Sequence, residues 1–354
     1  MKTPLLKLNN GVEMPALGLG VFQSSPEDTI KAVATAIADG YRLIDTARAY
    51  KNESQVGEGI RNSGINRAEL FVTTKLWLTD YGYDAALRGF DGSLTKLRLD
   101  YLDLYLLHWP TKNFDATVQS YKAAEKLLAA GRVRAIGVCN HTEQQLEALI
   151  ARTDVVPAVN QVELHPYFAQ KALRQTSAAL GIVMQAWSPI GGVKRYWPGA
   201  SATGTGDPLA DPVITGIGRA HGKTAAQVIL RWQFQNGVVA IPKSVKAARI
   251  AKNIDIFDFV LSDSEMTKID ALDTGARGGP DPTQIDMDSF SDTVDRMHPV
   301  RVSRRDAKQT EPLNEHRSIR HSCSYHGCRL RNGVGISRGI LGSRRVRRAV
   351  RKPQ

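Results

Sequence analysis

Four polar side chains stand at, or just beyond, the ends of apolar β-rich runs. LID at 43–45 ends on Asp45, FVTTK at 71–75 on Lys75 and LYLLH at 104–108 on His108, while Tyr50 follows in the loop after Asp45. Taken singly, each has a plainer reading: a helix cap, a solvated cation, a satisfied core imidazole, a packed ring. Three strands that carry apolar residues into Asp, Lys and His at one face are harder to explain that way. Buried charges need partners, and Asp45 with Lys75 supplies the pair. The group suits proton transfer to a carbonyl oxygen. A phenol with an ordinary pKa of about 10 is a weak acid at neutral pH, and a lysine ammonium beside it favours the phenolate and lowers that value. Asp45 would hold the ammonium charged and in place, and a neutral His108 could donate a hydrogen bond to the substrate oxygen. None of the four supplies hydride, so a nicotinamide would have to carry it.

Such side chains converge only if their strands end at one mouth. A unit recurs along the chain: a short β run, a polar loop, then a helix with apolar residues at three- and four-residue spacing. The β runs fall at 17–22, 41–45, 70–75, 101–108, 134–139, 157–164, 182–187 and 238–243. Eight strands, each followed by a helix, predict a parallel sheet closed into a (β/α)8 TIM barrel, whose C-terminal strand ends share one face. LLKLNNGVEMP, residues 5–15, reads as an added β-hairpin turning at Asn10-Gly11 and lying under the barrel. Ser25-Pro26 and the pairs Thr142/Gln145 and Thr224/Gln227 mark helix starts. The connection at 188–212 is long and rich in Gly and Pro, which at that face suggests function.

The 354 residues carry a formal charge of +12. Residues 295–354 hold sixteen Lys and Arg against four Asp and Glu, so the whole excess lies there and residues 1–294 balance to zero. This divides the chain into a barrel domain, 1–294, and an Arg-rich tail, 295–354, read as disordered. A neutral body argues against nucleic acid as the main partner. His321, Cys323, His326 and Cys328 crowd into one short run, unlike the separated ligand pairs of a structural zinc site, so no metal is expected. Three cysteines and no long apolar run point to a reducing compartment, the cytoplasm, without a membrane anchor. Two phosphate motifs fail: GLGVFQ at 18–23 ends in Gln23 rather than Gly, and GIGRAHGKT at 216–224 has Ile217 where a P-loop needs its first glycine. Gly222-Lys223-Thr224 is read as a helix start.

The segments GYRLIDTARAYKNE (40–53), FVTTKLW (71–77), LHWP (107–110), VNQVELHP (159–166) and IPKSVKAARIAKN (241–253) resemble the aldo-keto reductases, and most of all their prokaryotic 2,5-diketo-D-gluconate reductase branch. The resemblance spans residues 3 to about 290. It implies NADPH-dependent reduction of aldehydes and ketones by a monomer without metal, with Asp45, Tyr50, Lys75 and His108 as catalytic tetrad. It also implies cofactor contacts: Asn140 and Gln161 on the nicotinamide carboxamide, Trp187 stacked on the ring, and Ser188, Pro189 and Ile190 crossing the pyrophosphate. Lys243, Ser244 and Arg249 would take the 2′-phosphate, with Val245 also at the cofactor and Asn253 near the adenine. Three departures stand out. Cys139 replaces the family's usual serine, a weaker donor toward the carboxamide, and His141 and Lys252 also differ from common family residues. Phe22, Trp77 and His108 are expected to line the substrate pocket, joined by Tyr196 or Trp197 from the long loop. The alternatives are a nucleotide-binding barrel without activity, acting as a regulatory module, and nucleic-acid binding through the basic tail.

Overall fold

The computed structural model describes residues 3–192 and 206–290. The chain enters as an antiparallel hairpin, β1 (Leu5–Lys7) and β2 (Glu13–Pro15), with Leu5 opposite Pro15 and Gly11 in the turn at φ 86°. The barrel strands follow: β3 (Gly18–Gly20), β4 (Leu43–Asp45), β5 (Phe71–Leu76), β6 (Leu102–Leu107), β7 (Val133–Cys139), β8 (Val159–Glu163), β9 (Val183–Trp187) and β10 (Val239–Ala240). They pair parallel in chain order from β3 to β10. Parallel bridges Leu17–Ala240 and Gly20–Lys243 join the two end strands and close the barrel. At this seam the Gly20 N–H donates to the Pro242 carbonyl at 3.2 Å. A Cβ at Gly20 would sit 2.8 Å from the Ile241 carbonyl oxygen, so only glycine lets the seam close this tightly.

Alternation along each strand sorts the apolar residues into two layers. Leu43, Phe71, Leu104, Leu106, Ala135, Val159 and Val239 fill the interior, with Leu8 and Met14 of the hairpin packed beneath them. Ile44, Val72, Tyr105, Leu107, Ile136 and Val138 face outward into the layer beneath the helices. The hairpin therefore plugs the N-terminal end, held by Asn10 Nδ2 donating to the Arg134 carbonyl at 2.9 Å and Asn9 Nδ2 to the Pro157 carbonyl at 3.1 Å.

The helices are α1 (Pro26–Ala38), α2 (Glu53–Ser63), α3 (Tyr83–Leu97), α4 (Phe114–Ala129), α5 (Glu143–Ile150), α6 (Lys171–Ala179), α7 (Pro212–His221), α8 (Ala225–Gln235), α9 (Ala247–Ile254) and α10 (Asp263–Asp270). Each barrel strand is followed by one helix, except that β9 leads to two, α7 and α8, and β10 to two, α9 and α10. The expected starts are present. Ser25 Oγ accepts the Asp28 N–H with Pro26 in the first turn, and both Thr142/Gln145 and Thr224/Gln227 form reciprocal capping boxes. None of these helices is long and apolar enough to cross a membrane. Tyr196 and Trp197, the tail from 295, and its His and Cys cluster lie outside the described residues.

Candidate active site

Reading each strand inward-facing residue by inward-facing residue, the interior changes from apolar to polar toward the C-terminal ends. Leu43 gives way to Asp45, Phe71 to Thr73 and Lys75, Leu106 to His108, Val159 to Gln161 and Glu163, and Val183 to Gln185 and Trp187. The polar ends share the mouth where barrel chemistry is located.

Lys75 organises the centre. Its ammonium donates to Asp45 Oδ1 at 2.5 Å, to the Thr46 carbonyl at 2.9 Å and to the Tyr50 hydroxyl at 3.3 Å, which uses all three hydrogens. Asp45 Oδ2 accepts from Gln161 Nε2 at 2.8 Å. Lys75 and Asp45 are essentially inaccessible, at 0% and 1% exposure. Tyr50 ends the short 3-10 turn Arg48–Tyr50, which Lys51 leaves in the left-handed region at φ 55°. Asn52 braces that turn, accepting the Thr46 hydroxyl at 2.9 Å and donating to the Val21 carbonyl at 2.9 Å.

The electrostatics correct one expectation. Burial would lower the Lys75 pKa, but Asp45, joined by Tyr50 and Cys139, holds the ammonium above its ordinary range. Burial pushes the Asp45 carboxyl up, against the opposing pull of Lys75 and Gln161. Tyr50 was expected to lean toward phenolate; instead burial pushes the phenol up to about 12, with Lys75 only moderating the rise. The site thus holds a protonated tyrosine, an acid rather than a phenolate. Burial, and then Lys75, drive His108 far below the ordinary imidazole value, so the ring is neutral. Its Nδ1 is buried without a hydrogen-bond partner among the described residues. A bare nitrogen tolerates that setting better than an N–H, which favours the tautomer carrying its proton on Nε2.

These groups open into a cavity of about 580 Å³. One end is aromatic. Phe22 lies 4.9 Å from Tyr50 between ring centroids, Trp77 stands edge-on to His108 at 5.1 Å, and Phe290 packs on Trp77 at 5.4 Å and on Trp109 at 5.7 Å. Asn140, Gln161, Trp187, Ser188, Pro189 and Ile190 line the middle. The far end gathers Lys243, Ser244, Arg249, Lys252 and Asn253 beside the start of α8 at Thr224, Ala225 and Ala226. Burial lowers the Lys243 pKa, partly offset by Asp28, so this half-buried ammonium favours an anionic ligand. Convergent cations, a serine hydroxyl and a helix N-terminus suit phosphate groups. A long cavity with a phosphate end and an amide-lined middle fits a dinucleotide.

Of the cofactor contacts expected from sequence, two do not line the cavity. Cys139 is buried in the barrel interior at 1% exposure, and burial raises its thiol pKa well above the ordinary value. Val245 packs against the outer apolar layer. Trp187 lines the cavity with its indole N–H donating to Asn140 Oδ1 at 2.8 Å, while Asn140 Nδ2 donates to the His108 carbonyl at 3.0 Å. Sequence reading missed Trp109 and Phe290. Trp109 was in plain view within LHWP, whereas Phe290 lies past the last periodic segment. It also gave no role to the α8 start, whose Gly222-Lys223-Thr224 is the helix cap expected and whose next residues reach the cavity. Among the described residues no group of three or more His, Cys, Asp or Glu could hold a metal ion.

The barrel and its mouth define a (β/α)8 protein with a candidate active site at the C-terminal strand ends. The model of the aldo/keto reductase family matches residues 16–274, and the chain belongs to that family. It is 67% identical to morphine 6-dehydrogenase of Pseudomonas putida over 293 residues, 83% of this chain and 99% of that protein. It is 48% identical to glyoxal reductase of Bacillus subtilis over 281 residues, 79% of this chain and 96% of the relative. The crystal structure of a Bombyx mori aldo-keto reductase in complex with NADP matches with TM-score 0.72 at 35% identity, covering 82% of this chain and 98% of that one.

Proposed function

We propose that this enzyme reduces aldehydes and ketones, of dicarbonyl or keto-sugar type, with NADPH as the hydride source and Tyr50 as the acid. The observation that carries the reading is the chain Asp45–Lys75–Tyr50, buried and charged at one end and open to the cavity at the other. Bound NADPH supplies hydride. Gln161 and Asn140 hold its carboxamide, Ser188, Pro189 and Ile190 follow its pyrophosphate, and Lys243, Ser244 and Arg249 take its 2′-phosphate. A neutral His108 donates to the substrate oxygen and orients it, and Tyr50 Oη delivers the proton to that oxygen. Lys75 then stabilises the phenolate left behind, and Asp45 keeps Lys75 charged and aimed. Phe22, Trp77 and Phe290 exclude water from the reacting end.

NADPH consumption with a panel of small dicarbonyls and keto-sugars tests this, with Tyr50→Phe as control. Turnover that the variant loses supports the reading. Tight NADPH binding without turnover would favour a barrel that binds nucleotide without activity. A second substrate reading, the oxidation of a polycyclic secondary alcohol with NADP, is favoured by the 67% identity to morphine 6-dehydrogenase along nearly all of that protein's length. A morphinan alcohol belongs in the panel for that reason. We further place the activity in residues 1–294, as a cytoplasmic monomer, with residues 295–354 as a separate basic extension. The charge balance of residues 1–294 supports that boundary.

A further inference from the structure

Gln161 is held by two side chains, and they do different work. Its Nε2 donates to Asp45 Oδ2 at 2.8 Å and to Gln185 Oε1 at 2.7 Å. A carboxylate in an ion pair with Lys75 can only accept, so the atom of Gln161 that faces it must be nitrogen. That fixes which end of the amide points inward. It does not fix the amide plane, since Nε2 carries a second hydrogen. Gln185 takes that hydrogen, and its position facing a donor requires its own oxygen to point at Gln161. Gln185 is fully buried, does not line the cavity, and leaves its Nε2 without a partner among the described residues. Among the described residues its one side-chain hydrogen bond is therefore the one to Gln161. A buried amide with an orphaned donor is uncommon and calls for an explanation.

We propose that Gln185 is a positioning residue for cofactor selection, locking the plane of Gln161 so that Gln161 offers the nicotinamide end of the cavity an acceptor and no donor. With both Nε2 hydrogens engaged, Oε1 is the only polar atom left to a ligand. It pairs with the NH2 of a carboxamide and rejects a ring substituent that presents only a carbonyl. Without Gln185, one Nε2 hydrogen is free, the amide can turn about its last torsion, and that selectivity relaxes. The inference rests on the cofactor reading proposed above.

The test compares three ligands by titration on the full chain: NADP, its 3-acetylpyridine analogue, which lacks the NH2, and adenosine 2′,5′-bisphosphate, which lacks the nicotinamide half. Wild-type protein should prefer NADP over the analogue. Gln185→Leu should cut that preference by about tenfold, the effect of one lost hydrogen-bonding constraint, while affinity for the bisphosphate stays unchanged. Gln185→Met reads the same ratio if the leucine variant does not fold. An unchanged ratio in a folded variant overturns the proposal. So does an equal loss for all three ligands, which is the signature of general loosening of the barrel. If wild-type protein binds none of them, the cofactor reading itself fails, an outcome visible before any variant is made.

Discussion

Glu163 and Gly278 are joined across the barrel mouth: Glu163 Oε1 accepts the Gly278 N–H at 2.8 Å, and Oε2 accepts that of Gly279 at 2.8 Å. Glu163 is fully buried at the end of β8, so an anionic acceptor ties the segment after α10 to the barrel. That segment leads to Phe290, which packs on Trp77 and Trp109. Glu163→Gln turns one acceptor into a donor facing an N–H, a change that costs roughly 1–3 kcal/mol locally. The expected result is a several-fold rise in KM for large apolar carbonyls with little change for the smallest dicarbonyl. Steady-state kinetics on the two substrates would decide it, and equal effects on both would argue against a link from Glu163 to Phe290.

With Tyr50 as the proposed acid, the pH dependence of reduction follows from its setting. Its phenol is pushed up to about 12 by burial, so it stays protonated across the neutral range and is available as an acid. The sign follows: reduction should be flat from about pH 6 to 9 as far as Tyr50 is concerned, and should fall only as the phenol ionises. Tyr50→Phe should lower kcat by about 10²–10⁴ and leave NADPH affinity nearly unchanged. A pH–rate profile under saturating substrate checks the first point. A reduction rate that falls between pH 6 and 9 in wild type, with the same limb lost in the variant, would place the ionisation far lower than the buried setting implies.

Lys75 and Asp45 should show strong coupling. Lys75→Met leaves a buried carboxylate without its cation, and breaking such a pair costs roughly 3–5 kcal/mol. Adding Asp45→Asn removes the orphaned charge, so the double variant should be more stable than Lys75→Met alone although equally inactive. Chemical denaturation of the four proteins gives the coupling energy. Additive losses would mean that the 2.5 Å contact contributes little to folding.

The parity of the strands was readable in the sequence, and with it most of the site. Asp45, Lys75 and His108 follow Leu43, Phe71 and Leu106 on the interior face, so a correct barrel assignment brings them together. What sequence reading lacked was depth. Lys75 beside Tyr50 suggested a lowered phenol pKa, but the sign depends on how completely the ring is buried, and burial wins. The same blindness applies to Cys139, whose inward position was legible and whose enclosure was not. Phe290 had no local pattern to announce it, because its place comes from Glu163 binding Gly278 and Gly279, contacts about 115 residues apart in sequence.

His141 is expected to make the protein's stability acid-sensitive. It is fully buried, its Nδ1 lies 2.9 Å from the Cys139 carbonyl, and its Nε2 has no partner among the described residues. Burial pushes its pKa down from 6.5 to about 4, only partly opposed by the hydrogen bond to that carbonyl. The folded state therefore binds this proton less readily than the unfolded chain, so stability is lost as pH falls from the unfolded value through the folded one. For a shift of that size the loss on moving from pH 7 to 5 is about 2 kcal/mol. His141→Phe keeps an aromatic ring in the same space and has nothing to protonate. The acid loss in the variant should be smaller than in wild type by about that amount, while other titrating groups, His108 among them, contribute equally to both and cancel. Urea denaturation of the two proteins at both pH values measures the difference directly. If the two lose stability in parallel, the proton is taken up elsewhere and His141 does not sense pH.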